Sequence, residues 1–218
     1  VELTNSPSIV LSNATIDVSG RSDVTLALGS VMNQKLLGGG TINGILMENA
    51  GSVINPGNGV ITATLTVANS ATLSGNVVMD LNRTNPQTAD EVVSPVITVA
   101  GPLTVTNLGP DLQTGDRFQL FSTAVTGFSS VNLPAHNTAN TVTYQWENDL
   151  ATDGSIKVLS GAGGVNTDPA TANFQATAVS GSLQFSWAPD HQGWQLYTNA
   201  VGLNATDSWF PVPGSAAV

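Results

Sequence analysis

Hydrophobic and polar residues alternate with a period of about two in short segments along most of the chain. The clearest segments are residues 64–68, 96–99, 103–106 and 118–121, where Val, Ile, Leu or Phe is interleaved with Thr or Gln. Such alternation is typical of half-buried β-strands. No segment places apolar residues at i, i+3, i+4 and i+7 over three turns, so the pattern predicts an all-β protein with almost no helix.

The alternation also predicts which side chains form the core. Turn-forming residues separate the apolar segments, for example Asn43 with Gly44, residues 55–59 and Gly115 with Asp116. These residue types accept the positive φ that tight turns need. Between such turns, alternate residues of a strand face the same side. The predicted core residues are Ile42, Leu46, Leu65, Val67, Leu73, Val78, Ile97 and Val99.

A unit of short strand, Asn or Gly corner and short strand recurs at residues 9–18, 41–46 and 65–78. Units of this kind are typical of a β-solenoid, in which each coil buries its apolar side against its neighbours. A β-sandwich also has short strands and frequent turns, and it is the alternative. Asn-rich corners and small side chains favour the solenoid for residues 1–110.

The composition of the chain limits the kinds of partner that it can bind. The chain has 218 residues, with 15 acidic and 5 basic side chains, a net charge of −10 and no cysteine. Phosphate recognition needs clustered Lys and Arg, so this charge excludes a nucleic-acid surface. The absence of cysteine excludes disulfides and thiolate metal sites. No run approaches the ~18 apolar residues that span a bilayer, so we expect no membrane insertion by this chain.

The composition changes at residues 161–169, which are rich in Gly and lack alternation. This segment is predicted to be a linker. Residues 1–160 are then a β-solenoid with a C-terminal cap, and residues 170–218, which hold three of the four tryptophans, are a small β-sandwich module.

Much of the chain resembles the C-terminal end of the autotransporter-associated β-strand-repeat proteins, which are long bacterial surface and secreted proteins. The stretches that carry the resemblance are residues 38–44, 50–58, 63–67, 103–110, 115–121, 128–134, 144–146 and 150–156. The resemblance implies a β-helical stalk whose last coils form a cap. It also implies an extracellular or cell-surface location in a bacterium.

Residues 183–215 look like the small β-module that follows this cap in such proteins, where another strand or two usually comes next. Here the sequence stops at Val218, so we expect either a module that lacks a strand or an excerpted sequence whose missing strand lies just downstream. In the first case the module is left with an open edge. Unpaired backbone groups beside an apolar groove recruit an extended segment. The N-terminal segment of a neighbouring subunit is the expected donor, and such a contact does not close, so it predicts a polymer. The expected assembly residues are Val1, Leu3, Ile9, Leu11, Val212 and Val218.

The two histidines do not form a recognisable catalytic group. His191 follows Asp190, which invites an acid–base interpretation, but adjacent strand residues point to opposite faces. His136 has no partner nearby in the sequence. We therefore expect both histidines to lie in turns or loops without a catalytic role.

Two groups of acids could act in glycoside cleavage, which needs paired carboxylates. They are Asp80 with Asp90 or Glu91, and Asp149 with Asp153. The alternative is that these acids are turn and edge charges that oppose sheet-edge association. Five scattered cations also disfavour a lyase, whose carbanion needs neighbouring positive charge. The sequence predicts no enzyme and no catalytic residues.

Calcium is the one cofactor that the sequence allows. Oxygen ligands for it are available at Asp111, Asp116, Asp149 and Asp153. No acidic calcium loop of known spacing is present, so the expectation is no resident cofactor, with calcium as the exception to test.

The aromatic C-terminal module offers an alternative function. Aromatic rings exposed on a β-face stack on sugar rings, and Trp187, Trp194, Tyr197 and Trp209 are the candidates. The other interpretation is that they form the core of a small domain. The sequence therefore predicts a structural subunit of a bacterial surface fibre, filament or adhesin stalk. The alternative is a carbohydrate-binding module or glycan-active passenger of a secreted bacterial protein, with surface glycans as partners.

Overall fold

A computed structural model gives the fold. It describes residues 6–29, 33–162, 174–179, 182–187, 195–199 and 209–213. The described residues contain strands, turns and bends and no helix, which confirms the all-β prediction. No helix capable of crossing a membrane is found in this part of the chain.

The strands are short, mostly of three to six residues. In chain order they are β1 (Ser8–Val10), β2 (Ala14–Asp17), β3 (Thr25–Leu28), β4 (Lys35–Leu37), β5 (Gly40–Asn43), β6 (Ile45–Glu48), β7 (Val53–Asn55), β8 (Thr64–Val67), β9 (Ser70–Leu73), β10 (Asn76–Leu81), β11 (Glu91–Val93), β12 (Ile97–Val99), β13 (Pro102–Asn107), β14 (Arg117–Gln119), β15 (Ser130–Asn132), β16 (Gln145–Asp149), β17 (Ser155–Ser160), β18 (Gln175–Val179), β19 (Ser182–Ser186), β20 (Tyr197–Thr198) and β21 (Phe210–Pro211).

The first fifteen strands, β14 excepted, stack into three parallel sheets. Sheet A has the order β1-β4-β7-β10-β13-β15, sheet B the order β2-β5-β8-β11, and sheet C the order β3-β6-β9-β12. The chain visits the sheets in the repeated order A, B, C. Within each sheet, every pairing of neighbouring strands is parallel. This arrangement is a β-solenoid of about five turns, as the recurrent short-strand unit predicts.

The coils differ in length because their corners differ. Ser8 lies opposite Lys35, Lys35 opposite Val53 and Val53 opposite Asn76, so successive coils advance by 27, 18 and 23 residues. Gly44 alone turns the chain from β5 to β6, as predicted for the Asn43 and Gly44 corner. The corner from sheet A to sheet B instead grows into long loops at residues 56–63 and 82–90.

The core is one continuous column of inward-facing aliphatic residues. Of the predicted core residues, Ile42, Leu46, Leu65, Val67, Leu73 and Val99 are buried, and Ile97 is half-buried against the same cluster. The prediction for Val78 is wrong, because Val77 and Met79 face inward in β10 and Val78 faces outward. Adjacent valines fit either register locally, and the pairing of Val77 with the buried Ile54 in β7 selects the observed one.

An antiparallel sheet, β14-β17-β16, lies at the C-terminal end of the stack. Its residues Phe118, Ile156 and Val158 join the same core. The Val92 N–H of β11 donates to the Leu120 carbonyl at 2.9 Å, so the chain after β14 extends sheet B by one more rung. We call residues 111–162 the cap.

The described pieces beyond the cap form two small antiparallel pairs. Strands β18 and β19 make a hairpin, and β20 pairs with β21. The rings of Phe174 and Phe185 stack with centroids 5.6 Å apart. The linker predicted at 161–169 lies outside the described residues from position 163 onward.

Candidate functional site

The best candidate for a binding site is a groove at the corner between sheets A and B. The loop of residues 56–63 reaches back along the stack axis towards the same corner of the two preceding coils. The space between them has a volume of about 310 Å³. We call it the corner groove, and its lining residues are Val10, Leu11, Ser12, Asn13, Gly38, Gly39, Gly57, Asn58, Val60, Ile61 and Ala63.

Glycines form the floor of the corner groove because backbone segments approach each other closely there. A Cβ at Gly38 would lie 2.0 Å from the Leu11 carbonyl oxygen, and one at Gly39 would lie 2.8 Å from the Ala63 Cβ. Gly38 also has φ +83°, which other residues rarely adopt. The run of glycines at 38–40 therefore allows adjacent coils and the loop to pack at this corner.

Two buried carboxyl groups hold the loop in place. Asp90 accepts the Ala63 N–H at 2.8 Å and the Asp80 N–H at 2.9 Å, and Asp80 accepts the Gly59 N–H at 3.0 Å. Burial raises the pKa of Asp90 to about 7 and raises the pKa of Asp80. The negative charge of Asp80 also raises the pKa of Asp90, so ionisation of both carboxyl groups at once is disfavoured.

The structure brings together the first acid pair that the sequence singles out, Asp80 and Asp90. Asp80 and Asp90 are adjacent, as expected for paired carboxylates, but both are buried and bonded to backbone groups of the loop. A polysaccharide has no access to them in this arrangement. Glu91, at the start of β11, is half-buried, and burial raises its pKa.

The second acid pair lies on the cap beside an arginine. Arg117 donates to Asp149 at 3.1 Å and also pairs with Asp153. The pKa of Asp153 is lowered, first by the hydrogen bond from Ser155 and also by Arg117. The single positive charge of Arg117 therefore neutralises part of the charge of these two carboxylates.

The other candidate calcium ligands are also engaged. Asp116 pairs with Arg83 at 2.9 Å, and Asp111 accepts the Asn137 amide at 2.9 Å. Within the described ranges, no group of three or more acidic or histidine side chains is placed to hold a metal ion. Calcium binding at these residues stays a prediction.

A buried glutamate is the main feature that sequence reasoning missed. Glu48 is fully buried at the end of β6, where its Oε2 accepts the Gly75 N–H at 3.2 Å. Its Oε1 and the Asn76 Oδ1 are buried without a hydrogen-bond partner in the described part of the chain. Burial raises the pKa of Glu48 to about 8. Leu46 faces inward and Met47 faces outward. Extending this alternation by one residue would have predicted that Glu48 is buried.

The candidate glycan-stacking residues are partly accessible. Tyr197 and Trp209 are exposed, and Trp187 is half-buried. Trp194 lies outside the described residues. The fourth tryptophan, Trp146, belongs to the cap, where its Nε1 donates to the Pro134 carbonyl at 2.8 Å.

The expected assembly residues divide between two environments. Ile9 and Leu11 are buried in the core of their own first coil, where β1 pairs with β4. Strand donation through these two residues would require β1 to leave its own stack. Val212 lies beside β20, with its N–H donating to the Leu196 carbonyl at 2.8 Å. Val1, Leu3 and Val218 lie outside the described residues.

One of the two histidines lies within the described residues. His136 is exposed on the cap, with its Nδ1 3.4 Å from the Thr143 Oγ1. His191 lies outside the described residues.

Comparison with known proteins gives no relative. No family model, no curated protein and no solved structure matches this chain. The β-solenoid is consistent with a β-helical passenger, and the likeness to the autotransporter-associated proteins stays a resemblance.

Proposed function

We propose that this chain is an extracellular structural protein, a subunit of a bacterial surface fibre or adhesin stalk that assembles through β-strand contacts. The observation that carries the proposal is the continuous parallel stack, in which backbone hydrogen bonds run along one axis through sheets A, B and C. Such a stack is quasi-one-dimensional and transmits force along its backbone ladders.

The two ends of the stack differ. At the C-terminal end, the cap covers the last coil. At the other end, β1, β2 and β3 each pair with one neighbouring strand only, within the described residues. Free strand edges are templates for pairing with another chain, so the first coil is the surface through which we propose assembly.

The chemistry of the acids supports a structural role over catalysis. Asp80 and Asp90 are occupied in holding a loop, and Asp149 and Asp153 are paired with Arg117. Few charges and many Ser, Thr and Asn residues also suit a surface that resists proteolysis outside the cell.

The experiment combines microscopy with a variant of the free edge. The Val24 carbonyl accepts the Ile45 N–H of β6, and the Leu28 carbonyl accepts the N–H of Asn49, the residue after β6. The Ala27 N–H therefore points to the free edge of β3. Ala27→Pro removes this donor at an edge position where proline is tolerated, and Ala27→Ser keeps it. We expect fibres or arrays in negative stain for the wild type and for Ala27→Ser, and shorter or no fibres for folded Ala27→Pro. Discrete monomers of the wild type at every concentration would overturn the proposal.

A second candidate function is carbohydrate binding, which the exposure of Tyr197 and Trp209 favours. Aromatic rings on an open β-surface stack on sugars. Titration with soluble glycans should then change tryptophan fluorescence. The change should vanish in Trp209→Ala and persist in Trp146→Phe, whose indole lies in the cap.

A further inference from the structure

Three aliphatic side chains in the corner groove are exposed to solvent. Val10, Val60 and Ile61 have exposed fractions of 60%, 74% and 59%. They come from the first coil and from the loop of the third coil, and they meet over a floor of glycines. Clustered apolar exposure of this kind marks an interaction site more often than scattered surface residues do.

The corner groove is already formed before a partner binds. Its outer wall is the loop held by Asp80 and Asp90. The next loop braces this wall further, since the Asn85 amide donates to the Thr62 hydroxyl at 3.3 Å. A site that is rigid in advance loses little conformational entropy on binding. The wall therefore favours a ligand that fits its fixed shape.

The corner groove has no charge in a chain that carries a net charge of −10. None of its eleven lining residues is acidic or basic. A second copy of the chain would be repelled through most of its acidic surface. Contact costs less repulsion where both contacting surfaces are free of charge than where acidic side chains face each other.

The C-terminal module presents such a surface. Residues 209–213, Trp-Phe-Pro-Val-Pro, contain no charged side chain, and Phe210 is 63% exposed. Two prolines fix the backbone of this segment and reduce the entropy lost on docking. Aromatic side chains that enter a fixed apolar pocket are typical anchors of protein interfaces.

We propose that the corner groove binds residues 209–213 of a second copy, with the ring of Phe210 as the anchor between Val10, Val60 and Ile61. This inference rests on the proposed self-association and names a contact for it that is distinct from the free strand edge. The groove and the segment are different surfaces, so the contact is heterologous and each bound copy offers a free groove or a free segment to the next.

The test uses exposed residues, so that the variants keep their fold. We expect Val60→Asp with Ile61→Asp, or Phe210→Ala alone, to weaken self-association of the full chain at least about tenfold in analytical ultracentrifugation. The matched control is Val96→Asp, which changes a valine that is 55% exposed and does not line the groove. The control should associate like the wild type.

Mixing the two defective variants identifies the partner as a second copy. The Phe210→Ala chain retains a groove, and the Val60→Asp, Ile61→Asp chain retains a segment. Their mixture should therefore form heterodimers through the groove, and these do not extend further through that contact. Suppose that the wild type stays monomeric and that the Phe210→Ala variant differs from it in tryptophan fluorescence. The segment would then occupy the groove of its own chain, and the proposal would be overturned.

The remaining outcomes separate this inference from the proposed function. If fibres form undiminished in the groove variants but are lost in Ala27→Pro, the groove contact is wrong and assembly through strand edges stands. If the wild type never associates, both the groove contact and the polymer are wrong.

Discussion

At the scale of single residues, Val24 has a strained backbone and Glu48 has a carboxyl group whose ionisation is disfavoured. Val24, at the corner from sheet B to sheet C, has φ +51°. A β-branched residue rarely adopts this conformation, because its Cβ substituents crowd the backbone. The Val24 carbonyl nevertheless accepts the Ile45 N–H at 2.8 Å, which ties the first coil to the second.

Val24→Asn should stabilise the protein, because asparagine accepts positive φ far more readily than valine. We expect a gain of about 1 kcal/mol in the free energy of unfolding, measured by denaturant or thermal unfolding. Val93→Asn is the control, since Val93 is also half-buried but lies in β11 with ordinary strand geometry. That substitution should destabilise, and a loss of stability in both variants would contradict the strain at Val24.

Glu48 should make the protein less stable as pH rises. Its pKa is raised from 4.5 to about 8 in the folded state because burial disfavours the ionised form. A raised carboxyl pKa means that the unfolded chain loses its proton first, so stability falls as pH rises from about 4.5 towards 8 and then levels off. A shift of this size corresponds to an upper bound of about 5 kcal/mol. Asp90, with its pKa near 7, acts in the same direction.

Thermal unfolding across this pH range checks the prediction. Glu48→Gln keeps the shape of the protonated acid without its titration, so its stability should decline less than that of the wild type. Glu147→Gln is the control, because Glu147 is an exposed partner of Lys157. If the two variants show the same pH profile as the wild type, Glu48 is not the group that titrates.

At the scale of elements, the strand unit and its corners follow from local sequence. β8 and β13 appear where Thr alternates with Leu or Val, and Gly44 turns the chain where Asn43 precedes it. The long loop at 56–63 could not be predicted in its shape, because Asp80 and Asp90 position it from the next coil. In the same way, Arg117 meets Asp149 and Asp153 only through the antiparallel pairing of the cap.

Leu65→Asp should destabilise the stack by several kcal/mol. Leu65 is fully buried in β8, with Val92 of the next coil opposite it. An aspartate there is an unpaired buried charge, which is among the most costly substitutions. Thr66→Asp is the matched control, because Thr66 is the next residue in the same strand and faces outward. Equal unfolding midpoints for the two variants would contradict the assigned facing of β8.

At the scale of the whole molecule, stability depends on how the ends of the stack are covered. Each coil buries its apolar residues only against its neighbours, so an uncovered end exposes both core residues and strand edges. In the described coils, core residues are fully buried as far along the stack as Val92 and Leu103, which lie next to the cap. We therefore treat the cap as the element that keeps the C-terminal end from pairing with other chains.

Deleting residues 111–218 should cause precipitation, because it removes both β15 from beside β13 and the rung at Leu120 that pairs with Val92. Exposed, long strand edges with an apolar face are aggregation sites. The control ends at residue 162, so it keeps the cap and lacks only the C-terminal module. Both chains share the free edges of the first coil, so any difference in soluble yield and light scattering at equal concentration reports the cap. Equal solubility of the two chains would show that the last coil protects itself, and that the antiparallel sheet has another role.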